Sequence, residues 1–221
     1  MTAADRPRTS LRLDLRAAAR DWYPDAALAL GALAAAVAFI VLHVVDVRHD
    51  YAQESIRLGD VERYARRPGT HGLAQLVQAL GMWWFLVTVA VLLCAALASR
   101  RRYARVVAVA VVTVSALGTV AVCKLLIRHP GIGTLLGRPI GSFPSGHTTD
   151  LTAVIGVALL VLLPIGWRWA AYAVAAAGGF VVGSTRVVSG THTPDDVLTG
   201  WLLGLGFVLV AGTWLTARRT S

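Results

Sequence analysis

The chain alternates long apolar stretches with short polar, arginine-bearing ones. It shows little of the one-in-two alternation that marks half-buried strands. Six apolar runs stand out, at residues 26–45, 78–98, 106–123, 148–165, 170–185 and 197–216. A bilayer-spanning helix needs about 20 mostly apolar residues, so each run predicts one membrane helix. Residues 1–25 are polar and basic, with Arg6, Arg8, Arg12, Arg16 and Arg20 interleaved with Leu11, Leu13 and Leu15. Such a segment is expected to lie on anionic headgroups. The apolar run that follows is too long for a cleaved signal peptide and lacks an obvious cleavage site. Residues 46–74 mix Asp50, Glu54, Asp60 and Glu62 with five arginines and predict a surface excursion between the first two helices. No internal repeat is evident.

Composition narrows the class. Of 221 residues, 56% are hydrophobic and 15% charged, whereas soluble chains carry about 25% charged residues. Mean hydropathy is +0.63. These values exclude a disordered chain and an ordinary cytosolic globule, and the length suits one domain. The net charge of +9 and pI near 10.7 raise nucleic acid as a partner. No basic helix, zinc spacing or aromatic-interleaved basic patch supports it, so anionic lipid is the expected partner.

The charges also orient the chain. If the N-terminus is inside, the inner segments hold 12 basic residues and the outer ones 9. Positive charge favours the cytoplasmic side, so both termini are expected in the cytoplasm of a multi-pass plasma-membrane protein. Residues 124–147 and 186–196 then share the extracytoplasmic face. Every basic residue is arginine except Lys124, and after Glu62 the only acids are Asp150, Asp195 and Asp196. Cys94 and Cys123 both lie in apolar runs and make no disulfide framework or metal cluster.

Three polar segments meet on that face. Phe143-Pro144-Ser145-Gly146-His147 precedes the fourth run. A helix opening there leaves unpaired backbone N–H groups, a natural anion site. Ser145 adds a hydroxyl and His147 a group that moves protons near neutral pH. The plainer alternative is a simple helix start with an interfacial histidine. The second segment runs from Arg186 through His192 to Asp196, with Thr193-Pro194 as cap and first turn of the sixth helix. Asp196 lies four residues after His192, so one turn brings a carboxylate to the imidazole and leaves its other nitrogen free to attack. Asp195 and Asp196 could instead merely complement the helix dipole, and Asp195 is expected to do only that. The third segment holds Lys124, Arg128, His129, Arg138 and Pro139. A lysine at a membrane boundary is often a snorkelling anchor. Together the segments make an oxyanion cage with a nucleophile and an acid, suited to phosphoryl transfer.

These residues resemble the type-2 phosphatidic acid phosphatase superfamily, whose signatures are Lys-x6-Arg-Pro, Pro-Ser-Gly-His and Ser-Arg-x5-His-x3-Asp. The second is intact at Pro144 to His147. The third is present as Ser184, an inserted Thr185, then Arg186, His192 and Asp196 at the family spacing. Four fixed residues arise by chance about once in 10⁵ positions. The first signature departs: six residues after Lys124 the chain reads Gly131-Ile132. Arg128 is the favoured replacement, and Arg138 the second candidate.

The resemblance covers about residues 106–210 and implies an all-α, six-transmembrane helical bundle, with an integral-membrane domain over 26–221 behind the cytoplasmic segment 1–25. It implies His192 as nucleophile forming a phosphohistidine, Asp196 orienting it, and His147 as acid and then base. Lys124, Arg128 or Arg138, Ser145, Gly146 and Arg186 would hold the phosphoryl oxygens, without metal or other cofactor. The substrate class implied is a lipid phosphate, either phosphatidate-type or a polyprenyl phosphate or diphosphate.

Alternatives remain within the same residues. A phosphotransferase would pass the phosphoryl group to an alcohol. A vanadate-dependent peroxidase fits poorly with a lipid route to the site. A non-enzymatic anion carrier would need charges along a transmembrane path, and the later spans hold only Asp150. A metal site built from His147, Asp150, His192 and Asp196 is a further option. Asp150 itself either tunes His147 or pairs with an arginine. His43, His49 and His71 have no spacing partner. Trp83, Trp84, Trp167, Trp169, Trp201 and Trp214 suit interfaces or packing.

Overall fold

Every apolar run carries a helix. In chain order these are α1 (Ala26–Ala38), α2 (Trp83–Ser99), α3 (Tyr103–Leu126), α4 (Gly146–Leu162), α5 (Arg168–Val188) and α6 (Pro194–Thr220). The computed structural model describes residues 26–38, 40–41, 76–77, 79–127, 134–135, 138–139, 143–189 and 191–220. The basic segment 1–25 and the excursion 46–74 lie outside the described residues. Helices α3, α5 and α6 are long and apolar enough to cross a membrane, whereas α1, α2 and α4 are shorter apolar helices. A 3-10 turn, Ile165–Trp167, links α4 to α5.

A feature absent from the apolar pattern is a small ladder. Strand β1 (Thr134–Leu135) pairs antiparallel with β2 (Arg138–Pro139), with Thr134 opposite Pro139 and Leu135 opposite Arg138. Two-residue strands carry no periodicity to read. Helix ends also shift relative to the runs. Helix α3 continues to Leu126, which puts Lys124 in its last turn, and α5 continues to Val188, which does the same for Arg186.

Helix α4 is the centre of the bundle and contacts α2, α3, α5 and α6. It is buried along nearly its whole length, so it has no face on which polar groups can meet water. Its threonines are satisfied internally. Thr149 Oγ1 donates to the Ser145 carbonyl at 2.9 Å, and Thr152 Oγ1 to the Thr148 carbonyl at 2.7 Å. Left unmade, each would cost about 1–3 kcal/mol.

Small residues let the neighbours close on this axis. A Cβ on Gly200 of α6 would sit 2.7 Å from the Ser145 carbonyl oxygen and 2.7 Å from Thr149 Oγ1. One turn on, a Cβ on Gly204 would sit 2.7 Å from Thr152 Cβ and 2.8 Å from the Thr149 carbonyl. Backbone therefore lies on backbone, the small-xxx-small arrangement of membrane helices. Trp201 Nε1 donates to the Ala176 carbonyl at 2.8 Å and fastens α6 to α5.

At the opposite end, α2 turns into α3 through Arg101 in the left-handed region, φ 56°. Arg101 N–H reaches the Ala98 carbonyl at 2.8 Å and Arg102 N–H the Leu97 carbonyl at 2.9 Å, the paired bonds of a Schellman turn. Arg105 donates to the Val161 carbonyl, which ties α3 to the end of α4. The Arg218 guanidinium lies 4.6 Å from the Trp214 ring and that of Arg168 5.6 Å from Trp169, in keeping with interfacial tryptophans.

Gly204→Ala should lower the melting temperature in detergent through an overpacking cost of about 1–3 kcal/mol. Gly118→Ala should leave it unchanged or raise it, because that position in α3 faces open space and alanine favours helix.

Candidate active site

The start of α6 makes the first half of the site. Thr193 and Asp196 cap each other: Thr193 N–H donates to Asp196 Oδ2 at 3.0 Å, and Asp196 N–H approaches Thr193 Oγ1 at 3.4 Å. This reciprocal cap leaves Oδ2 facing the preceding residue, where it meets His192 Nδ1 at 3.2 Å. Asp196 is fully buried and His192 is 8% exposed. With Nδ1 held by a carboxylate, Nε2 is the free nitrogen. Burial lowers the His192 pKa below its ordinary value, outweighing Asp196, which acts to raise it.

The loop before His192 is wound around one acceptor. The Arg186 carbonyl accepts from Thr191 N–H at 3.1 Å, His192 N–H at 3.3 Å, Ser189 Oγ at 3.1 Å and Thr191 Oγ1 at 3.1 Å. Ser189 and Thr191 hydroxyls also meet at 3.0 Å. The spacing of Arg186 and His192 is thus fixed by local bonds. Arg186 Nε is buried with no hydrogen-bond partner among the described residues, a donor held in reserve. The residue added beside Ser184 causes no break, because α5 runs through Thr185, whose Oγ1 donates to the Val182 carbonyl at 2.7 Å.

The start of α4 supplies the second half. Ser145 is fully buried, and its N–H donates to the Asp196 carbonyl at 3.0 Å. That bond stitches the Pro-Ser-Gly-His turn to the His-x3-Asp turn. No side chain caps α4, so its first amides, Gly146 included, are available to an anion. Thr148 Oγ1 donates to Ser145 Oγ at 3.0 Å, leaving the serine hydroxyl hydrogen to point elsewhere.

Lys124 reaches the same place from α3. Its Nζ lies 3.7 Å from the point where a Cβ on Gly146 would stand. Lys124, Arg186, His147 and His192 all act on one another electrostatically, so the three sequence segments converge on one cluster. Arg128 lies outside the described residues. Arg138 is placed in β2, paired with Leu135. His43, His49 and His71 also lie outside the described residues. The four-residue metal option does not assemble, because no three His, Cys, Asp or Glu side chains gather as ligands among the described residues.

The structure adds one residue that the motifs did not indicate. A Cβ on Gly81, in the turn before α2, would come within 3.0 Å of His147 Cδ2 and 3.1 Å of its Cβ. Gly81 backs the imidazole. Its only signal in the sequence is a glycine interrupting an apolar run, the ordinary mark of a break or close approach.

Residues 124–220 match the family model of the PAP2 superfamily. Over that segment the chain is similar to the PAP2 superfamily. Lys124 opens the matched segment, and Ser145, His147, Arg186, His192 and Asp196 all fall inside it. A crystal structure described as the first transmembrane PAP2-type phosphatidylglycerolphosphate phosphatase, from Bacillus subtilis, shares the fold with TM-score 0.63. It is 24% identical, with 80% of this chain and 92% of that chain covered. The bacitracin transport permease protein BcrC of Bacillus licheniformis is 36% identical over 77 residues. That match spans 34% of this chain and 35% of the relative, about a third of each.

Gly81→Val should lower turnover by about 10- to 100-fold, the usual cost of displacing a reacting group by an ångström. Its melting temperature should fall far less than in Gly204→Ala. Both are read on purified protein, by phosphate release and by thermal unfolding.

Proposed function

We propose that the chain is an integral-membrane lipid phosphatase that hydrolyses a phosphomonoester or diphosphate of a lipid through a phosphohistidine. The observation that carries this is the His192–Asp196 pair, buried beside two cations and the open amides of α4. His192 Nε2 attacks phosphorus, the bond to the leaving oxygen breaks, and His147 gives that oxygen its proton. His147 then takes a proton from water, whose oxygen attacks the phosphohistidine and frees phosphate and His192. Lys124, Arg186, Ser145 and the Gly146 amide hold the three phosphoryl oxygens, where charge develops in the transition state. Arg128 or Arg138 completes the clamp.

The lipid substrate approaches from the bilayer. An apolar groove of about 610 Å³ between α5 and α6, lined by Phe180, Val187, Val188, Leu198 and Trp201 among others, opens beside the catalytic loop. It offers a path for a hydrocarbon tail while the anionic head enters the cage. All six helices span the membrane in this proposal, with both termini cytoplasmic and the site extracytoplasmic. Phosphatidate, polyprenyl diphosphate and the phosphatidylglycerolphosphate named for the structural neighbour form the substrate panel.

Purified protein should release phosphate from at least one member of the panel, in chelator as well as without it. His192→Ala should lose at least about 10³-fold in kcat, as nucleophile removal does elsewhere. Full activity in that variant would exclude His192 as the nucleophile. An added acceptor alcohol that collects the phosphoryl group would point to the transferase.

The neutral imidazole is the reactive form of His192, and burial lowers its pKa. The acid limb of kcat/KM should therefore fall below about pH 6.5, the ordinary imidazole value. A limb above that value would contradict a buried, neutral nucleophile.

A further inference from the structure

Asp150 has no part in the chemistry above, yet it is 5% exposed in the central helix. It lies one turn below Gly146, and its Oδ1 has no hydrogen-bond partner among the described residues. Its Oδ2 is 3.8 Å from the point where a Gly146 Cβ would stand, and Lys124 Nζ is 3.7 Å from that same point. Carboxylate and ammonium thus flank the glycine from two different helices, and each feels the other's charge.

Carboxylates within apolar helices are expensive and are kept with a partner or a task. Lys124 has a matching difficulty. It stands at the end of an apolar helix within the field of Arg186, a like charge, on a flexible four-carbon stem that could carry it out to water. Asp196 also attracts it, but both Asp196 Oδ2 contacts go to the His192–Thr193 turn. Asp150 Oδ2 shares with Lys124 Nζ the space beside Gly146, and Asp150 Oδ1 makes no hydrogen bond among the described residues. It would repel a phosphoryl group directly, so its effect runs through the ammonium.

We propose that Asp150 is the positioning residue for Lys124: it holds the ammonium over the Gly146 end of α4, where the phosphoryl oxygens bind. Gly146 serves the pair as well as the anion. A side chain there would enter the space between the two charges and come within 3.2 Å of Val120. The proposal rests on the phosphoryl site described above.

The test is a double-mutant cycle on full-length purified protein: wild type, Asp150→Asn, Lys124→Met and the double variant. Two readouts are taken, phosphate release from the best lipid substrate and the rise in melting temperature with added inorganic phosphate. Asp150→Asn should lower kcat/KM by about 10- to 100-fold, as misplaced binding groups do. In the Lys124→Met background the same change should cost less than about twofold, the mark of two residues acting as a unit. Asp150→Glu should recover part of the loss. The phosphate-induced rise should shrink alike in both single variants and no further in the double. Equal losses in the two backgrounds, no loss in Asp150→Asn, or Asp150→Glu no better than Asp150→Asn would overturn the proposal. If Asp150→Asn fails to fold, the cycle is run with Asp150→Glu, and equal losses in the two Lys124 backgrounds again overturn it. If the wild type releases phosphate from no lipid, the phosphatase assignment fails by itself, and the melting cycle still decides whether Asp150 acts through Lys124.

Discussion

One backbone hydrogen bond, from Ser145 N–H to the Asp196 carbonyl, holds the candidate site of this protein together. It joins the first residues of α4 to the first turn of α6, two segments about fifty residues apart in the chain. Bringing them that close requires the two helices to run backbone against backbone, which the glycines at 200 and 204 permit. The cap at Thr193 and Asp196 then fixes the direction in which α6 begins. With the start and direction of both helices set, the positions of Ser145, Gly146, His192 and Asp196 follow.

The centre of the bundle shows how a polar site can sit at the end of an apolar scaffold. Helix α4 carries three threonines and an aspartate among its buried residues, yet the threonine hydroxyls bond within their own helix. They add small volume without demanding partners from α5 or α6. Two of the polar atoms that make no hydrogen bond among the described residues, Arg186 Nε and Asp150 Oδ1, lie toward the site. Burying an unsatisfied polar atom costs free energy, and that cost falls where a ligand or a neighbouring charge can relieve it.

Much of this was legible in the sequence, for identifiable reasons. Six helices were readable because apolar runs of this length have few alternatives. The contact of His192 with Asp196 was readable because four residues make one helical turn. Lys124, Ser145 and Arg186 were readable as one cluster through their motifs. What stayed hidden depends on relations between helices. Gly81 backs His147 from a helix that carries no motif. Asp150 and Lys124 flank the same glycine only because α3 and α4 cross at Gly146. Local spacing contains neither crossing, and a two-residue ladder such as β1 and β2 is too short to leave a pattern.

The four hydrogen bonds converging on the Arg186 carbonyl divide the cage mechanically. Arg186, His192 and Asp196 move as one block, and the Ser145 stitch attaches α4 to it. Lys124 belongs to a different helix and reaches in by its side chain. Helices in a bilayer tilt to match its thickness, and a tilt of α3 would change the reach of that lysine before it changed any bond within the block. Membrane thickness would then act on the site through the lysine arm rather than through the histidine.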